Sequence, residues 1–111
     1  MPNKLAILFL KERAIIAAFD ELAVIHITGH PTIPVLQAVL IALYGYPNRD
    51  LDTQCMPDAI VADNTTHMAI GLLESCIKNK MPQNAIYIIG QLLGIALEHI
   101  QAAITRQTTK H

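Results

Sequence analysis

The chain has 111 residues, is 52% hydrophobic and only 15% charged, and carries a formal net charge of −1. That length is one domain, 1–111, and the near-neutral balance excludes the broad basic field that generic nucleic-acid binding requires. Two cysteines, Cys55 and Cys76, are too few for a disulfide framework and lead us to expect a reducing, cytoplasmic compartment.

The first element reads as a helix over about residues 4–25. Its LAILFL (5–10) follows Lys4 like the start of a signal peptide, but Lys11, Glu12 and Arg13 interrupt it too soon. Lys4, Lys11, Glu12, Arg13, Asp20 and Glu21 fall all around the circumference, so no single polar face emerges. Gly29, Pro31 and Pro34 end the helix, and the β-branched run VIHIT (24–28) fits a helix end or an extended segment equally well.

A second helix is predicted over 33–44, with Thr32 as cap, Pro34 in the first turn, Gly45 closing it and Pro47 preventing continuation. Between Pro34 and Tyr44 its only polar side chain is Gln37. A helix apolar all round is either buried or in a membrane. Twelve residues make about 18 Å, short of the roughly 30 Å hydrocarbon core, so no membrane span is expected and this helix is placed centrally. Gln37 then needs a wet edge or a hydrogen bond.

Residues 47–64 form the longest connection, with four of the five aspartates and one short extra helical turn after Pro57. A third helix follows over about 65–79, capped by Asn64, with His67, Gly71, Glu74 and Lys78 on its wet face and Cys76 on its dry one. After the short connection 80–83, a fourth helix covers about 84–106 and the tail QTTKH is expected to fray. Short connections make antiparallel neighbours, so the fold class is all-α: a four-helix bundle-like domain of two helical hairpins.

On the fourth helix Tyr87, Gln91, Gly94, Glu98, Gln101 and Thr105 share one narrow strip. The apolar arc opposite is far wider than the ~100° that suffices for a helix lying on a core. Ile88, Ile89, Leu92, Leu93, Ile95, Ala96 and Ile100 are therefore the interface candidates, and a homo-oligomer, a dimer first, is the expected assembly.

Tests for chemistry return little. His26 and His30 have the i, i+4 spacing of a zinc helix, but Gly29 lies between them, Pro31 follows, and no glutamate follows His26. The Glu-x-x-His pair of carboxylate metal bundles is missing, since Ile15, Val24, Ile77 and Gln101 stand three residues after Glu12, Glu21, Glu74 and Glu98. A calcium loop from Asp50 fails because Cys55 occupies the glycine position and Val61 the glutamate position. Asn64-Thr65-Thr66 is a glycosylation sequon that reads better as a helix cap. Arg106 and His111 have the Arg-x-x-x-x-His spacing of an all-helical class of ribonucleases, on a polar tail with nothing to hold the pair rigid. Gly90 and Gly94 have GxxxG spacing, which implies a packing reason for two residues that weaken a helix.

No catalytic, cofactor or metal residue is assigned. His26, His30, His67 and Glu98 are the weak polar-site candidates. The expected function is a non-enzymatic helical protein–protein interaction module, an adaptor, chaperone-like or regulatory subunit, whose partners are itself and possibly another protein. The alternative is a small-ligand-binding or enzymatic domain with a pocket between helices. A helix-turn-helix regulator is disfavoured by the low basic content.

Overall fold

The computed structural model describes residues 4–29, 31–47, 50–79 and 84–109. Four helices carry the fold: α1 (Lys4–Thr28), α2 (Ile33–Tyr44), α3 (Pro57–Asn79) and α4 (Asn84–Thr109). Each packs against two neighbours in the ring α1–α2–α3–α4, giving a helical bundle of 47 × 23 × 22 Å.

Residues 24–28 are helical. Their β-branched side chains disfavour a helix only weakly, and burial of Ile25 in the core outweighs that preference. Gly29 then ends α1 at φ +76°, its N–H donating to the Ile25 carbonyl at 2.8 Å, the left-handed closure that glycine adopts without penalty. Thr32 caps α2 as predicted, its hydroxyl accepting from the Val35 N–H at 3.4 Å.

Two predicted boundaries are corrected. α3 starts at Pro57, not at 65, so the short turn after Pro57 is its first turn and Asn64 is interior. Asn and Thr favour caps because their side chains compete with backbone partners. Here Thr65 satisfies itself along the helix, donating to the Val61 carbonyl at 2.9 Å, while Thr66, Ala59, Ala62 and Ala69 are buried in the core. At the other end, α4 continues to Thr109. Thr108 and Thr109 donate back to the Thr105 carbonyl at 3.0 and 2.9 Å, so the first part of the predicted frayed tail is helical. The connection 80–83 lies outside the described residues.

The core is built from Leu8, Ile15, Val39, Leu43, Leu73, Ile89, Leu93 and Ile100, with the small Ala18, Ala59, Ala62 and Ala96 among them, all fully buried. The placement of α2 at the centre is corrected. Its main packing is on α1 and α3, and of its residues Leu36, Val39 and Leu43 are buried. Its outward face carries Ile33, Pro34, Gln37, Ile41 and Tyr44, so Gln37 is at a wet edge. At 12 residues, α2 also covers only part of its longer neighbours, of 25 and 23 residues. The remaining groove is closed by the connection, which buries Tyr46 and Thr53.

Candidate functional site

Three features compete for a functional role: two polar clusters and an apolar surface. The first cluster lies under the connection. Lys11 on α1 is fully buried, and its Nζ donates to Asp63 Oδ1 on α3 at 2.7 Å and to Thr53 Oγ1 at 3.1 Å. The ammonium also sits 5.2 Å from the ring centroid of Tyr46, within cation–π range. Tyr46 donates its hydroxyl to the same Asp63 oxygen at 2.5 Å. Burial, and then the Asp63 acceptor, push the Tyr46 pKa far above its ordinary value, against a smaller opposing effect of Thr66. Asp50 orders the adjoining turn by accepting from the Thr53 N–H at 3.1 Å. Lys11, Thr53, Tyr46 and Asp63 all find partners within the chain, so the cluster ties the connection to α1 and α3, while the neighbouring Thr66 hydroxyl is buried without a hydrogen bond. It offers no open position for a substrate.

The second cluster joins the start of α3 to the end of α4. Asp58, in the first turn of α3, meets His99 Nδ1 through Oδ1 and Arg106 Nη1 through Oδ2, each at 2.8 Å. A carboxylate also suits the positive end of the α3 dipole. Beside it lies an open cleft of about 560 Å³ whose lining includes Lys4, Cys55, Asp58 and Arg106. A carboxylate-oriented imidazole is half of a general-base device. Here the carboxylate also holds Arg106, and no nucleophile is hydrogen-bonded to the ring among the described residues, so the cluster reads as a clasp between helices.

Of the polar-site candidates from the sequence, the two described ones lie apart from both clusters. His67 and Glu98 are exposed, on α3 and α4. The His26 side chain, His30 and His111 lie outside the described residues. Arg106 is engaged by Asp58, and the partnered histidine is His99, which sequence reasoning missed. A signal existed. His99 and Arg106 are seven residues apart on one helical face, and Asp58 follows a proline suited to start a helix. Starting α3 at 65 hid it. Among the described residues no three His, Cys, Asp or Glu side chains converge as a metal site. Cys76 is buried, and burial raises its thiol pKa; Cys55 is exposed.

The interface candidates on α4 divide. Ile89, Leu93, Ala96 and Ile100 are fully buried in the chain's own core, which removes them from any interface between subunits. Leu92 is half-buried, while Ile88 and Ile95 remain exposed. The wide apolar arc is thus largely covered by α1 and α3, and the exposed strip still carries Gln91, Glu98, Gln101 and Thr105. Gly90 and Gly94 create no close helix approach, since a Cβ at either would meet nothing within 4 Å. By length and composition α4 is also the one described helix apolar enough to cross a membrane, with 28% of that window buried in the bundle.

Among the described residues every helix exposes large apolar side chains, five on α1 and three on each of α2, α3 and α4; those on α1 fall on one face. Ala6, Leu10, Arg13, Ala17, Asp20, Val24 and Ile27 are all exposed and follow one another at alternating steps of four and three residues. Phe9, Ile16 and Ala23 flank this line at seven-residue intervals and are also exposed. Phe9 is 47% exposed, Leu10 52% and Ile27 85%. This is the spacing of a helix seam that meets another helix. The chain matches no family model, no curated protein and no solved structure.

Proposed function

We propose that this chain is a non-enzymatic helical interaction module that self-associates through an apolar helix face. The observation that carries the reading is the exposed α1 face, apolar from Ala6 to Ile27 except for Arg13 and Asp20. Single exposed apolar side chains are ordinary on any surface; a row of them along one helix face, broken by only two charges, marks an interaction surface. Both polar clusters have their partners inside the chain, which supports a structural rather than a chemical role for them. Two free thiols, one buried and one exposed, agree with a reducing, cytoplasmic setting. The test is light scattering at micromolar concentration. A mass of at least two chains is expected; a 12.2 kDa monomer independent of concentration overturns the proposal.

One observation favours a second reading, a small apolar ligand between helices. A cleft of about 560 Å³ lies between the end of α1 and the start of α4, lined by Phe19, Leu22, Ile25, Ile86 and Tyr87 among others. That is within the usual volume of ligand sites. An environment-sensitive apolar dye should brighten on binding there, and Gly90→Leu, which fills the cleft, should abolish the signal.

A further inference from the structure

We propose that the occupant of the α1 face is the α1 helix of a second copy, packed antiparallel about a two-fold axis between Ile16 and Ala17. This rests on the self-association reading and specifies its geometry. The face carries two charges, Arg13 and Asp20, of opposite sign and seven residues apart. Among the described residues neither has an ion-pair partner within the chain. In an isologous pair each surface element meets its two-fold equivalent. With the axis midway between the charges, Arg13 stands opposite the partner's Asp20 and Asp20 opposite the partner's Arg13. A parallel, in-register pair instead sets Arg13 against the partner's Arg13, so charge selects the antiparallel arrangement.

The apolar residues fit the same register. Ile16 falls beside the axis and packs on the partner's Ile16. Phe9 and Leu10 come level with the partner's Val24 and Ala23, so the larger side chains at one end face smaller ones from the other. The line between Leu10 and Val24 advances by the four-and-three step that keeps two helices in contact along their length.

Charge reversal tests the register in the full chain. Arg13 and Asp20 are exposed, so Arg13→Asp and Asp20→Arg leave the protomer fold intact, which circular dichroism checks. Each single reversal sets like charges opposite one another and should raise the dimer dissociation constant at least tenfold in sedimentation experiments. The double reversal restores both pairs and should return it to within about threefold of the parent. A dimer indifferent to the single reversals, or a double variant no tighter than the singles, overturns the register while leaving self-association standing. A parent chain that is monomeric overturns both. Independently of the charges, Ile16→Cys in a Cys55→Ser background should form an intermolecular disulfide under mild oxidation, and Ile41→Cys on the outer face of α2 should not. The opposite pattern moves the interface to α2 and overturns the proposal.

Discussion

α1 and α4 lie side by side, run in opposite directions and have 25 and 26 residues, yet they divide polar and apolar groups in opposite ways. α4 keeps its polar strip outside and buries Ile89, Leu93, Ala96 and Ile100. α1 buries a lysine and exposes Phe9, Leu10 and Ile27. α4 obeys the rule that an apolar stripe faces the core. α1 shows how a charge is admitted there: Lys11 has a carboxylate, a hydroxyl and an aromatic face around it. The helix whose sequence sets a wide apolar arc against a polar strip is therefore not the one with the apolar surface, although α1 is the more apolar of the two, with 17 apolar residues of 25 against 14 of 26. Burial is assigned by the neighbours that a side chain meets, and α4 meets two long helices across its wide arc.

The contrast is broken most directly at Lys11. Lys11→Met leaves the largely buried Asp63, whose side chain is 12% exposed, without its cation, and urea unfolding should show a loss of about 3 kcal/mol. A loss within about 0.5 kcal/mol, as for surface substitutions, would mean that Lys11 is not buried. On α4, Leu93→Ala opens a cavity in the core and should cost about 2–5 kcal/mol in the same measurement. The α1 surface offers the counterpart. Ile27→Ser should change protomer stability by no more than about 0.5 kcal/mol, because the side chain is already in water.

Tyr46 adds a pH dependence to the α1 side of the comparison. The fold holds its phenol neutral, raising the pKa above the ordinary 10.0. The stabilising contribution is therefore intact below pH 10 and is lost as pH rises beyond it. Tyr46→Phe should lower neutral-pH stability by about 1.5–3 kcal/mol, the range for a hydrogen bond to a charged group, and flatten the alkaline fall. A parent and variant with parallel profiles above pH 10 would show that another group controls the decline. A small effect of the opposite sign is expected on α4. Gly94→Ala should raise the melting temperature, by up to about 1 kcal/mol of stability, since a methyl there meets open space and helix propensity improves. A drop would reveal a contact to the Gly94 backbone made only in an assembly.

Much of the architecture was legible before the structure. α2 was placed at its observed bounds because cap, proline and glycine signals all agreed, and Cys76 was assigned to a buried face by helical periodicity alone. The start of α3 was missed because Asn64, Thr65 and Thr66 are ordinary cap residues, and only their bundle neighbours make them interior. The same error concealed the Asp58–His99–Arg106 clasp, whose carboxylate lies in the misread segment. The α1 face was missed for another reason. With charges on every side, its sequence defined no inward direction.

By itself, then, the sequence determined that this chain is helical, where most helices break, and that its apolar content is high for its length, because those properties follow from local backbone chemistry and composition. Only the tertiary structure decided which side of α1 faces inward. That choice depends on Asp63, 52 residues away from Lys11, and on Tyr46 and Thr53 in the connection. A charge enters a core only where partners from distant segments converge on it, and no local pattern records that convergence.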